Sequence, residues 1–134
     1  DHNQPTNVDW LSGAALLSTK TMLEQVGILD PEYYMYMEDV DYAWRAHMYK
    51  LEVVYLPSAV ITHAIGRSTD KAPNRMIGRF HKSMLMFYRK NMLPRVNPVL
   101  RPFSYVGAAI AIGLRAGMFI TKNKIDGIVR WLKR

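Results

Sequence analysis

The chain has no cysteine among its 134 residues, which excludes disulfides, thiolate zinc centres and cysteine nucleophiles. That absence fits a reducing compartment. No initiator methionine opens it, and its start, DHNQPTNVDW, lacks the basic-then-apolar layout of a signal peptide. The sequence is therefore expected to enter a longer protein partway. A long uncharged run is also missing: the longest near the C-terminal end, Pro102 to Leu114, has 13 residues, short of the ~20 that cross a bilayer. No internal repeat and no nucleic-acid-binding motif is found. Acidic residues are scarce in the second half. Residues 1–64 hold 3 Lys and Arg against 9 Asp and Glu, whereas residues 65–134 hold 15 against 2. The half-charges of −6 and +13 give the net +7. A basic half of this strength is either a solvated surface or the mark of a phosphate-rich partner, such as nucleic acid, an anionic membrane or a phosphorylated substrate.

What is there suffices for one hydrophobic core, since 49% of the residues are apolar. The first half alternates short strand and helix signals. NVDWLSGAALLST has two apolar runs around Gly13. TKTMLEQVG predicts a short amphipathic helix with Met22, Leu23 and Val26 on one side and Gly27 just past its end. ILDPEYY is a turn, because Pro31 disfavours a helical Asp30. A helix from about Asp39 to Met48 follows, then EVVYLP and AVITHA as β segments. The polar stretch GRSTDKAPN is expected to be mobile. From Arg75 the pattern becomes helical, with Met76, Phe80, Met84 or Leu85, and Tyr88 at 3–4 spacing. After a linker with three prolines, FSYVGAAIAIGLRAGMFI leads into Lys122, Lys124 and Arg130. It is either an interfacial helix on anionic lipid or a helix packed against a partner subunit or another part of a longer protein, with a true span a lesser option.

The densest chemistry lies in YYMYMEDVDYAWRAH, Tyr33 to His47. Glu38, Asp39 and Asp41 fall within four residues, boxed in by aromatics and methionines. With a helix beginning at Asp39, that residue is the natural N-cap and Asp41 sits in the favourable first turn. Val40, Trp44 and Met48 then line a face that enters the core, and Asp41 and Arg45 pair at i, i+4. Local needs leave Glu38 unexplained. Tyr33, Tyr34 and Tyr36 would help enclose the carboxylates, and an enclosed carboxylate at a helix N-terminus suits a general base. Structural and catalytic explanations stand level on these grounds. His63 ends the apolar run AVITH, where parallel-sheet proteins place ligand-binding residues. It is either an ordinary hydrogen-bonded histidine or a ligand to Mn²⁺ or Mg²⁺ completed by carboxylates from elsewhere.

Taken in order, Trp10 to Gly13, the Gly27–Asp30 turn, the aromatic run, Glu38-Asp39-x-Asp41, Arg45, Pro57, His63 and Ser68 resemble the second half of the catalytic domain of family 2 glycosyltransferases. The likeness is greatest to bacterial rhamnosyltransferases and similar cell-surface polysaccharide enzymes, over roughly residues 8 to 68. It implies an α/β fold, the C-terminal portion of a GT-A mixed-sheet domain over residues 1–72, with a basic helical extension over 73–134. It also implies inverting transfer from a nucleotide-diphosphate sugar to a glycan or lipid-linked acceptor, at the cytoplasmic face of the plasma membrane. Asp39 matches the family's catalytic base, with Glu38 and Asp41 shaping the acceptor site and Arg45 holding Asp41. His63 matches a residue that helps bind a divalent metal, Mn²⁺ or Mg²⁺, on the donor diphosphate. Trp10, Ser12 and Gly13 would line the acceptor and donor-sugar side, and Arg67, Ser68 and Lys71 could close over the diphosphate.

Two departures are visible. Leu29 stands where the family usually has Phe, and HMYKLEVV lacks the Gly that commonly follows the helix. The nucleotide-binding half with its metal-ligating aspartates is not in this sequence, so the 134 residues alone are expected not to transfer sugar. The alternatives are a metal-dependent phosphodiester hydrolase or nuclease, and a non-catalytic basic module for membrane or nucleic acid.

Overall fold

A computed structural model of the protein describes residues 3–63 and 73–132. The chain divides into two compact units, Asp1–Ile65 and Gly66–Arg134.

The first unit holds a two-stranded antiparallel ribbon and two helices. Strand β1 (Thr6–Asn7) pairs with β2 (Val54–Tyr55) in the register Thr6 to Tyr55 and Asn7 to Val54. Helix α1 (Lys20–Gln25) starts where Thr19 Oγ1 accepts the Met22 N–H, and it stops at Gly27, whose φ of +84° suits glycine. The Asp30 turn forms as expected: Asp30 Oδ1 accepts the Glu32 N–H at 2.9 Å.

Helix α2 (Glu38–Met48) departs from expectation at its start and on its buried face. Met37, not Asp39, is the N-cap; it is left-handed at φ +71° with no side-chain cap, and Tyr36 before it is left-handed too. This tight entry begins the helix one residue early, so Asp39 is already inside the first turn. The buried face is Tyr42, Ala43 and Ala46 with Asp41, whereas Val40 and Trp44 are half-buried and Met48 is exposed. The inward face thus joins one aromatic ring to two alanines, whose small side chains let neighbours approach closely. At the other end Lys50 N–H donates to His47 O and Leu51 N–H to Ala46 O, both at 3.0 Å. These two bonds are a Schellman motif. Lys50 takes the left-handed position at φ +59°, so the turn usually built on glycine is built here on lysine.

AVITH, expected as a strand, has no regular structure over Ala59–His63. A strand needs a neighbour to satisfy its backbone, and among the described residues none lies beside it. The α/β character is accordingly partial: a small open ribbon with helices. Large apolar side chains stay exposed in this unit, Leu17 at 96% and Val60 at 86%.

The second unit is an antiparallel helical hairpin. Helix α3 (Pro73–Phe87) runs into a π-helical turn at Tyr88–Met92 and a short 3-10 turn at Leu93–Arg95. Pro94 cannot supply the N–H that would continue the α-helical ladder. Helix α4 (Arg101–Leu132) then continues for 32 residues, about 48 Å, through Arg115, Lys122 and Lys124. The two helices are stitched by Tyr88 to Ser104, by a ring contact of His81 with Phe119, and by Asn123 Nδ2 donating to Asn74 Oδ1 at 2.7 Å. His81 is buried; its Nδ1 lies 2.7 Å from Ile77 O and its Nε2 has no hydrogen-bond partner.

Candidate active site

The N-terminus of α2 gathers the acidic cluster, and each carboxylate is treated differently. Asp39 is reached across 26 positions of sequence by the Gly13 backbone, whose N–H donates to Oδ2 at 2.8 Å. Its Oδ1 accepts the Val40 N–H, also at 2.8 Å. The carboxylate is thus fixed at both oxygens while each keeps a lone pair. Gly13 contributes its N–H rather than its lack of a side chain: a Cβ there would sit 3.6 Å from Asp39 Cβ, an ordinary contact. Asp39 stands on the wall of a cavity of about 290 Å³ whose apolar lining includes Leu11, Met22 and Ala43 and whose polar lining includes Ser18, Thr19 and Glu52.

Asp41 is 2% exposed. Arg45 Nε donates to its Oδ2 at 2.8 Å, the expected i, i+4 pair, and the Tyr33 hydroxyl donates to Oδ1 at 3.3 Å. The Arg45 fork goes further than spacing foretells. Nη1 donates to Val26 O at 2.7 Å and Nη2 to Ile28 O at 2.9 Å, so one side chain locks α2 to the end of α1. All three nitrogens of the guanidinium donate to protein acceptors. Burial, then the Asp41 charge beside it, holds the Tyr33 hydroxyl well above the ordinary tyrosine range. Glu38 is half-buried, and its Oε2, one residue from Asp39, is shut off from solvent with no hydrogen-bond partner.

The other expected residues are less gathered. Trp10 is half-exposed and Ser12 exposed, with Ser12 Oγ accepting the Ala14 N–H. Tyr33 does wall the cluster, but Tyr34 points to solvent, 75% exposed. His63 is exposed. Among the described residues no three His, Asp or Glu converge as a metal site, so His63 with these carboxylates does not make a divalent-metal centre by itself. Arg67, Ser68 and Lys71 lie outside the described residues. Sequence reasoning missed the Tyr42 hydroxyl bond to Ser18 Oγ (3.1 Å) and the place of Thr19 and Glu52 on the cavity wall. No spacing rule joins positions so far apart.

A site of this shape, a pinned carboxylate on the wall of a partly apolar cavity, suits abstraction of a proton from a hydroxyl. No family model matches the chain and no solved structure matches it. Two curated proteins of Mycobacterium tuberculosis do, from strains CDC 1551 / Oshkosh and ATCC 25618 / H37Rv. The class they define is sugar transfer: the chain is homologous in part to a glycosyltransferase. Both relatives are described as N-acetylglucosaminyl-diphospho-decaprenol L-rhamnosyltransferase, and each is 41% identical over 80 residues. That match covers 60% of this chain, and the chain spans about a quarter of the relatives, 26%.

Proposed function

We propose that the first unit is the acceptor side of an inverting glycosyltransferase catalytic domain of GT-A type, and that Asp39 is its general base. The observation that carries this reading is the Asp39 carboxylate held by the Gly13 N–H on the wall of the cavity. The partial homology to a rhamnosyltransferase supports the same class.

In this reading an acceptor hydroxyl approaches Asp39, which takes its proton as the oxygen bonds to the anomeric carbon. The bond from that carbon to the diphosphate breaks on the opposite face, and the electron pair leaves with the nucleoside diphosphate, so configuration inverts. The two N–H donors keep the carboxylate from rotating away, which shortens the search for the reactive geometry. Glu38, beside Asp39 in the first turn, shapes the field on the acceptor side. Asp41, Arg45 and Tyr33 do not touch substrate; they fix the first turn of α2, and with it Asp39. Trp10 gives an exposed ring for stacking on a sugar face. A divalent metal on the donor diphosphate would need carboxylates beyond those described here, with His63 as one ligand at most. The acceptor is a glycan or a lipid-linked glycan of cell-surface polysaccharide synthesis, reached from the cytoplasm.

The test is transfer by the full-length protein, offered nucleotide-diphosphate sugars with Mn²⁺ or Mg²⁺ and a polyprenyl-diphosphate-linked acceptor. The expected product has the anomeric configuration opposite to the donor's, read by NMR. Retention of configuration, or cleavage of polynucleotide without sugar transfer, would overturn the reading.

A further inference from the structure

Helix α4 carries a second feature that sugar transfer does not use. One face packs on α3 and the turn that follows it through Ser104, Phe119 and Asn123, and Ile112 and Ala116 between them are half-buried. The opposite face is bare and apolar. Phe103, Ile110, Leu114 and Met118 are exposed by 75, 57, 67 and 66%, and they recur at the helical spacing that makes one stripe. Gly113 and Gly117 on the same face leave a shallow groove, with Lys122 at its edge. From Arg101 to Leu132 the helix is, by length and composition, long and apolar enough to cross a membrane, and its most apolar stretch is not buried.

Charge selects the partner. Residues 73–132 hold eleven Lys and Arg against a single Asp126. Lys122 and Lys124 follow the apolar stripe directly, and Arg115 lies beside it with its guanidinium 5.6 Å from the Phe119 ring. An apolar stripe edged by cations complements a bilayer that is apolar within and anionic at its surface.

We propose that α4 docks in the plane of an anionic phospholipid bilayer, with the Phe103–Ile110–Leu114–Met118 face in the acyl boundary and Lys122 and Lys124 at the lipid phosphates. The hairpin favours lying over spanning. α3 covers the far side of α4 from Ser104 to Asn123 and exposes Arg75, Lys82 and Arg89, which a span would carry into hydrocarbon. This docking stands apart from the transfer reading, since a chain without transferase activity would bind all the same.

The test is cosedimentation of the protein with phosphatidylcholine vesicles, with and without phosphatidylglycerol. Binding is expected only with phosphatidylglycerol and weakens as salt rises. Leu114→Asp, at an exposed position that leaves the fold intact, is expected to weaken it about tenfold or more. Lys122→Gln and Lys124→Gln cost roughly five-fold each at low salt. A spin label on Leu114→Cys, unique in a chain without cysteine, is expected about 5–10 Å below the phosphates. A second copy of the chain is the competing occupant, and Gly113→Leu with Gly117→Leu separates the two. A Cβ at either position meets nothing within 4 Å, so the added side chains keep or tighten vesicle binding but would break a helix pair seated on the glycines. No vesicle binding, binding indifferent to Leu114→Asp, a label near the mid-plane at about 15 Å, or a dimer abolished by the leucines would each overturn the proposal.

Discussion

Replacing Arg45 with Met removes the cation that faces a buried Asp41 while keeping most of the side-chain volume. Asp41 would then lose its cationic partner, while the 3.3 Å bond from Tyr33 remains. Breaking a buried pair by deleting one member costs about 3–5 kcal/mol, because the other charge is stranded. The Arg45 side chain is 26% exposed, and water reaching that side screens the pair, so the lower end applies, about 3 kcal/mol. The carbonyls of Val26 and Ile28 also lose their donors, but Ile28 is exposed and its carbonyl can turn to water. Against a typical domain stability of about 5–15 kcal/mol, a loss of this size is severe, more so where, among the described residues, no large side chain is fully buried. Urea unfolding followed by circular dichroism reads it directly, and the melting temperature should fall by roughly 10–20 °C. Arg45→Lys restores the charge without the fork and should recover only part of the loss. The double variant Asp41→Asn, Arg45→Met should be more stable than Arg45→Met alone, since no charge is left stranded. The reasoning fails if Arg45→Met costs less than about 1 kcal/mol, or if the double variant costs as much as the two singles together.

Tyr33 and Lys50 yield two further expectations. The Tyr33 hydroxyl holds its proton in the fold more tightly than in the unfolded chain. Its contribution is therefore complete below the ordinary tyrosine pKa near 10 and declines as pH rises above it, because the unfolded chain ionises first. Urea unfolding across that alkaline range should show Tyr33→Phe losing stability less steeply than the parent, by about 1.4 kcal/mol per pH unit for one proton; equal slopes would contradict the assignment. Lys50→Gly relieves a left-handed residue at an exposed turn without changing the Schellman bonds and should stabilise the fold by about 1 kcal/mol. Thermal melts check it, and a loss of stability would show that the lysine side chain contributes something there beyond its backbone angle.

Much of the site could be read because its determinants are local. The Asp41–Arg45 pair follows from helical spacing, and Gly27 at the end of α1 from the need for a positive φ. Local reasoning failed where distant chain decides. Trp44 and Met48 look like a core face by size, yet Tyr42, Ala43 and Ala46 are the side chains that turn inward. AVITH has strand chemistry but no described strand to pair with. Asp39 has the chemistry of an N-cap, but left-handed Tyr36 and Met37 start the helix before it. The bond from Gly13 to Asp39 and the Arg45 bonds to Val26 and Ile28 join separate segments, and nothing in their spacing announces them. In α4 a count of uncharged residues stops at Leu114, whereas the helix continues through Arg115 and Lys122 because charges at the edge of an apolar stripe do not interrupt backbone hydrogen bonding.

The role of Asp39 is tested most directly by Asp39→Asn in the full-length protein, with transfer rate and donor affinity measured on the same preparation. Asparagine keeps an acceptor oxygen for the Gly13 N–H but cannot take the proton. The rate should fall by about 10²–10⁴-fold while donor affinity stays within a few-fold. Transfer within a few-fold of the parent rate would contradict the assignment of Asp39 as the base.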